Sequence, residues 1–554
     1  APGVWQTNPY ALDTNIEELV IAGPAGQAGA DGEAYIVERD GLPYLLADVE
    51  GSLNVATVAG AIGLNAAAPV TNLVDIYSSD GEVVLTAATA VTVDMVDAGH
   101  GIATLVAQNG SVLDRDSGAP NVIASDITLL ATNGSVGQSG NWLDTQTTAS
   151  SLTAVATGNG NGIYILNTAL PDADATLTAS TNGNDAPIYV TQQGGGDLDV
   201  IDAKTVDGNM TIEVRDGGDL AASLMNAADN NPADADTGAD PLDGNIYLTT
   251  VGGGDVNFGS AVAEHLLQVR STGQAYSQTG DHNITAETID VEAATNIIDL
   301  MITQLGNSPE TEGVRLFALD GTIDGTSITA YDNVLLDAAG VTGAITETLI
   351  TTSGPDGSVI AYADAGFHGG NITSAQDTVR LYARGGDIVE MNITAHDLAV
   401  MNAMLNGSII SGSATSTADF VSLKADRTDP ADITAGNVLN TVVNSFLGTT
   451  IMADGEVIEI KAQQDGWIHA VDSRALGILA MELGAGRRSK DDVLDLGVGM
   501  RLHPNVGQAV KTGDTLFTVY AKSGAEIPRD RYLATLNLQT SPSIKHPWLL
   551  TTVD

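Results

Sequence analysis

The stretch DNNPADADTGADPLDG, residues 229–244, places Asp229, Asp234, Asp236, Asp240 and Asp243 in one turn-rich segment. Alternating carboxylates on such a backbone are hard oxygen ligands, the chemistry that holds Ca2+. An EF-hand counted from Asp234 needs glycine at its sixth position and glutamate at its twelfth. Ala239 and Asn245 stand there, so a calcium site in this segment would be of another kind. Calcium is the one cofactor expected. A second chemical signal is the basic turn of Arg487, Arg488 and Lys490, which suits an anion or the acidic face of another subunit.

Other reactive constellations are missing from the text. The chain has no cysteine, which removes disulfides, thiolate metal sites and cysteine nucleophiles. His265, His282, His368 and His396 stand in no H-x-H or H-E-x-x-H relation. Acidic residues are so widespread that no pair can be singled out for glycoside chemistry. No complete phosphate loop or dinucleotide glycine motif occurs. Asn283, Asn371, Asn392 and Asn406 each begin an Asn-x-Ser/Thr triplet, but Asn-Ile-Thr recurs here as a structural phrase.

These residues sit in a chain of 554, too long for a single compact core. Its net charge is −49. The first 450 residues hold 10 basic and 57 acidic side chains, and the remainder 11 and 13. So negative a surface repels nucleic acid and anionic lipid and attracts divalent cations. Disorder is rejected because 43% of the residues are hydrophobic and recur periodically. No apolar run is long enough to span a membrane. The first residue, Ala1, is what signal peptidase leaves and equally what a fragment of a longer chain could begin with.

One phrase recurs: a triplet such as Ile-Thr-Ala, a polar break, then alternating apolar residues. Its isoleucines are Ile284, Ile328, Ile372, Ile393 and Ile433, spaced by 44, 44, 21 and 40 residues. A second phrase, glycine, a small residue, then Ile or Val, opens at Gly321, Gly343, Gly357, Gly386 and Gly407. PIYVTQQGGGDLDV and NIYLTTVGGGDVNF are related to each other, with Ile188 and Ile246 separated by 58 residues. Alternation has the two-residue period of a strand, and Gly-Gly, Asn-Gly and Asp-Gly breaks supply turns. A unit of roughly 20 residues cannot bury its own apolar face, but stacked units share one core. The expected fold is mainly β: a parallel β-helix or solenoid with a small C-terminal α+β domain. The 21-residue spacing argues against a string of β-sandwiches.

Phrases such as ITLLATNGSVG and GDIVEMNITA make residues 80–450 resemble the haemagglutinin-type repeats of large bacterial filamentous adhesins. From Ile458 the text changes. GWIHAVDSRALGILAMELGAGRR, DVLDLGVGMRLHPNVGQAVKTGDTLFTVYAK and the closing HPWLLTTVD resemble, in order, the C-terminal domain of thymidine and pyrimidine-nucleoside phosphorylases. The resemblance implies a strand-rich domain akin to the barrel-sandwich domains that carry biotin or lipoate. Independently, Ser473 can cap a helix bearing Leu476, Leu479, Ala480 and Leu483 on one face, with Gly484 at its end. Gly507 and Gly513 mark turns before Leu516 and Phe517 resume a strand. The family's nucleoside and phosphate sites lie mainly upstream of this domain, so the resemblance carries over no catalytic residue.

The sequence thus divides into 1–78, a cap or contact segment; 79–450, solenoid repeats; and 451–554, the phosphorylase-like domain. The function expected is a non-catalytic, exported structural protein, secreted or at the cell surface: a subunit of a filament, surface layer or adhesin. Its C-terminal domain would dock or cap, and thymidine with phosphate would release no base. The alternatives are a carbohydrate-active β-helix enzyme or phage-type fibre, and a ligand-binding module. The expected partners are further copies of the chain and cell-surface polysaccharide, with no nucleic acid and no membrane span.

Overall fold

The computed structural model describes residues 12–14, 18–21, 33–63, 73–79, 81–115, 120–170, 173–206, 208–227, 244–277, 283–306, 313–405, 407–418, 420–429, 432–435, 438–446, 450–453, 455–486, 498–522 and 526–541. The protein is mainly β, with 59% of residues in strands and 4% in helices: a β-solenoid of about 16 turns with a small C-terminal β domain. It forms two compact units, Ala1–Ala365 and Gly366–Asp554. Among the described residues no helix is long and apolar enough to cross a membrane.

In the first unit, parallel pairing is present from Leu12–Thr14, which lies beside Ala34–Glu38. One face of the solenoid stacks Ile163–Thr168, Ile188–Gln193, Met210–Val214, Ile246–Thr250, Leu266–Ser271, Thr288–Ala293, Val314–Ala318, Val334–Ala338 and Val359–Ala363 in parallel register. Alternation decides which side chains enter the core. Val314, Leu316 and Ala318 lie over Val334, Leu336 and Ala338, and then over Val359, Ala361 and Ala363, all buried. Each Val or Leu so buried stabilises the fold by roughly 1.5–3 kcal/mol.

The spacings read from the sequence resolve into turns. Ile284 pairs with Ile302 and Ile302 with Ile328, so the first interval of 44 is two turns of unequal length. Ile328 then pairs with Ile350. In the second unit Ile372 pairs with Ile393, Ile393 with Ala414, Ala414 with Ile433, and Ile433 with Ile451. Ile188 and Ile246 are likewise two turns apart, both paired with Met210. The Asn-Ile-Thr triplets serve strand geometry: Asn392 Nδ2 donates to Asn371 Oδ1 at 3.1 Å, and Ser413 Oγ donates to Asn392 Oδ1 at 2.7 Å.

Corners are fixed by repeated polar devices. Buried Thr181, Thr205 and Thr250 donate their hydroxyls to turn carbonyls of Ala186, Gly208 and Gly254 at 2.6–2.7 Å. This satisfies acceptors that would otherwise be buried unpaired. At another corner Asp197 Oδ1 accepts the Asp219 N–H, Asp219 Oδ1 the Asp255 N–H, and Asp255 Oδ1 the Gln274 N–H, at 2.7–2.8 Å. Burial, reinforced by its two carboxylate neighbours, raises the Asp219 pKa above the ordinary carboxylate range.

In each unit, corners also bend through left-handed residues. These are Asp299 (φ 56°), Gly325 (φ 63°) and Glu347 (φ 50°) in the first unit, and Glu390 (φ 54°) and Ser411 (φ 52°) in the second. An L side chain there costs about 1–2 kcal/mol, while glycine costs about 0.5–1 kcal/mol in chain entropy. Glu390→Gly is therefore expected to raise stability by about 0.5–1 kcal/mol. Urea unfolding checks it; a midpoint shifted to lower urea would refute the strain assigned to this corner.

Candidate functional site

The C-terminal domain, from residue 455 onward within the second unit, changes pairing from parallel to antiparallel. Gly455–Lys461 and Gly499–Leu502 flank Thr515–Lys522 in one sheet, and Ala509–Val510 and Leu536–Gln539 flank Gly466–Val471 in the other. Between them lies a small core that includes Ile460, Ile468, Leu516, Phe517, Val519 and Tyr532. Phe517 meets Tyr532 edge-on, ring centroids 5.6 Å apart and planes at 70°.

Two helices edge this core. Ser473–Leu483 forms where the sequence expects, but its cap is Asp472, not Ser473: the carboxylate accepts the backbone N–H groups of Arg474 and Ala475 at 3.1 and 3.0 Å. A carboxylate there also meets the positive end of the helix. Gly484 ends the helix at φ 109°, its N–H bonding back to Ala480 and Met481 carbonyls. Gly507 (φ 87°) and Gly513 (φ 94°) make the expected left-handed turns. The second of these is held by Asp465, which accepts from the Thr512 N–H at 2.7 Å and its hydroxyl at 2.8 Å. Those two bonds keep the Asp465 carboxyl below its ordinary pKa. The second helix, Arg529–Leu533, starts after Pro528 and is only five residues long.

A cleft of about 620 Å³ opens between the helices. Among the described residues, Leu479, Leu483, Ile527 and Pro528 give it apolar walls, Tyr532 contributes at depth, and Glu482, Arg531 and Glu526 bring charge. Arg531 grips Glu482 with both terminal nitrogens, Nη1 to Oε2 at 2.6 Å and Nη2 to Oε1 at 3.1 Å. The exposed pair adds little stability, but its fork geometry fixes where the remaining guanidinium N–H groups point. Burial, aided by the Glu482 charge, raises the Tyr532 hydroxyl pKa above its ordinary value.

The sequence reading missed Glu482, Arg531 and Glu526. The available signal was Pro528 followed by Asp530 in a first turn, which marks a helix start. The calcium candidates Asp229, Asp234, Asp236, Asp240 and Asp243 lie outside the described residues, as do Arg487, Arg488 and Lys490. Among the described residues no group of three or more His, Asp or Glu stands close enough to hold a metal ion. His265 lies 2.9 Å from Glu287 and 3.9 Å from Glu264, and His396 lies 2.5 Å from Asp397; His282 lies outside the described residues.

The family profile of the pyrimidine nucleoside phosphorylase C-terminal domain matches residues 467–537. Pyrimidine-nucleoside phosphorylase of Geobacillus stearothermophilus is 45% identical over 65 residues, 12% of this chain and 15% of that enzyme. The enzyme of the same name from Staphylococcus epidermidis is 41% identical over 66 residues, and that of Staphylococcus aureus 39% over 64. Each alignment covers 12% of this chain and 15% of the relative. The chain thus spans about 15% of the length of the curated relatives it matches. These matches overturn the expectation of a non-catalytic exported structural protein, and with it the filament, surface-layer and adhesin assignments. The physical reason is that an acidic solenoid constrains solubility and shape and leaves the chemistry open. The sequence-specific likeness lies instead in a domain whose relatives are enzymes. A β-solenoid therefore precedes, in one chain, a domain that resembles the C-terminal domain of pyrimidine-nucleoside phosphorylases.

Proposed function

We propose that this chain acts in the phosphorolysis of pyrimidine nucleosides. The C1′–N bond to the base breaks, a C1′–O bond to phosphate forms, and the base leaves with a proton. The observation that carries this is the family match over residues 467–537. Purified full-length protein, incubated with uridine or thymidine and inorganic phosphate, is expected to release free base. The base should appear with pentose 1-phosphate in equal amount, in proportion to protein through successive purification steps. No release above the buffer blank would overturn the proposal.

Calcium is proposed as a stabilising ion of the same chain. The excess of acidic over basic residues in the first 450 residues disfavours the compact state through self-repulsion. A cation bound only by the folded form adds stability by mass action. Millimolar Ca2+ is expected to raise the melting temperature at moderate ionic strength and chelator to reverse it. An unchanged melting temperature, or an equal response to Na+ of the same ionic strength, counts against a specific site. Self-association and polysaccharide binding remain proposals; sedimentation velocity on the pure chain, alone and with a neutral glucan, reads both.

A further inference from the structure

We infer that the outward face of the solenoid takes one ring of a neutral, pyranose-based polysaccharide between Tyr189 and Tyr247, over Thr211; this rests on the polysaccharide binding proposed above, not on the phosphorolysis. Only 4% of the residues are aromatic, yet four gather on neighbouring turns. Tyr164 stacks on Tyr189, ring centroids 5.4 Å apart and planes at 13°, and Trp142 leans on Tyr189 at 6.2 Å. In register, Tyr189 is followed by Thr211, and Thr211 by Tyr247. The aromatic column therefore skips one turn, and a small side chain stands there between two phenols. Tyr189, Thr211 and Tyr247 are half-buried and alternate with core residues such as Val190, Ile212 and Leu248, so they face outward. Burial and then Tyr189 raise the Tyr247 hydroxyl pKa, so the two phenols feel each other across the gap.

Parallel strands lie about 4.8 Å apart, which sets the backbones of Tyr189 and Tyr247 about 9.6 Å apart. Carbon contacts of about 3.5–4.0 Å on both sides of a flat ring would span only about 7–8 Å. The remainder suits a puckered, saturated ring whose C–H groups meet an aromatic face on each side. The rim of a sugar ring carries hydroxyls, each both donor and acceptor, and the slot answers both. The hydroxyls of Thr211 and Thr249 meet no partner among the described residues. Glu213, in register with Thr249, accepts, and Arg215 donates from 2.8 Å beside it, which balances the local charge. A proline ring has a similar pucker, but a polyproline chain brings carbonyl acceptors alone and would leave Glu213 without a donor. Segment 228–243, between these two strands in the chain, holds five aspartates and no basic residue. That charge disfavours an anionic sugar.

Titration calorimetry on the full chain tests this, with hexasaccharides of glucose, mannose and N-acetylglucosamine, hexagalacturonate and decaproline as separate probes. At least one neutral hexasaccharide is expected to bind, and more tightly than hexagalacturonate or decaproline. Tyr189→Ala and Tyr247→Ala each remove one wall and should weaken that binding at least about tenfold, the loss expected of an aromatic anchor. Thr211→Tyr continues the aromatic column through the gap. It should weaken binding as much without lowering the melting temperature, which keeps the test intact if an alanine variant unfolds. Tyr77→Ala, at a residue 51% exposed on another strand, should leave binding unchanged. No binding of any neutral hexasaccharide overturns the inference together with the polysaccharide proposal. Hexasaccharide binding that is unchanged in all three slot variants keeps polysaccharide binding and removes this slot from it. Decaproline bound more tightly than every hexasaccharide, and lost in the same variants, overturns the inference and assigns the slot to a protein partner.

Discussion

Phe517→Ala is expected to destabilise the C-terminal domain by about 3–5 kcal/mol, the usual cost of truncating a buried phenylalanine. Phe517 is fully buried, on the strand Thr515–Lys522 that is shared by two antiparallel neighbours. Its ring supports the edge of Tyr532, which is 1% exposed and lies at the depth of the cleft. The domain's core is small, so the void cannot be refilled by distant side chains. Domains of ordinary stability hold only about 5–15 kcal/mol in total, so most of the margin would go. Hydrogen exchange over residues 455–539 of the full chain reads the loss locally. Tyr520→Ala on the same strand, 37% exposed, should change exchange by about 0.5 kcal/mol or less. Equal protection in wild type and Phe517→Ala would show that this core does not hold the domain together.

Much of the fold is legible from the sequence because a solenoid writes its physics into a period. Inward Ile, Val and Ala at every second residue, with glycine breaks, are enough to expect stacked parallel strands. The count of turns is harder. In the first unit Ile302 and Ile350 belong to the isoleucine column, but their phrases, MITQ and LITT, depart from the Ile-Thr-Ala triplet. In the second unit's own column Ala414 stands between Ile393 and Ile433, so that spacing reads as 40. The helix of the C-terminal domain is legible to within its cap, since Asp472 and Ser473 are both good caps and only geometry chooses. The cleft is illegible for a different reason. Glu482 and Arg531 are 49 residues apart, and nothing local in either segment announces the other. Function is the least legible: the solenoid's many residues carry composition and period, whereas the sequence-specific likeness sits in the few residues 467–537.

Gly254→Ala is expected to destabilise the solenoid by about 3 kcal/mol, at the upper end of overpacking costs. The phrase Gly-Gly-Gly-Asp occurs at residues 194–197 and again at 252–255, and Gly218 takes the equivalent corner on the turn between. These corners stack directly. A Cβ added to Gly254 would lie 1.9 Å from the Gly218 carbonyl oxygen, and one added to Gly218 would lie 2.3 Å from that of Gly196. The obstacle is backbone, so no side-chain rotation relieves it. The turn cannot simply shift outward either. Asp255 N–H is held by Asp219 at 2.8 Å, and the Gly254 carbonyl accepts the buried Thr250 hydroxyl at 2.6 Å. Moving the turn would break both bonds and leave buried polar groups without partners. Gly140→Ala is the control: nothing lies within 4 Å of the added carbon there. Its stability should change by about 0.5 kcal/mol or less. Thermal unfolding of the full chain, followed in the far ultraviolet, compares the two. Because each turn of a solenoid contacts only its neighbours, the loss from Gly254→Ala should first appear as exchange in residues 210–277, with residues 455–539 still protected. A Gly254→Ala protein as stable as Gly140→Ala would show that the stacked glycine corner is not closed as described.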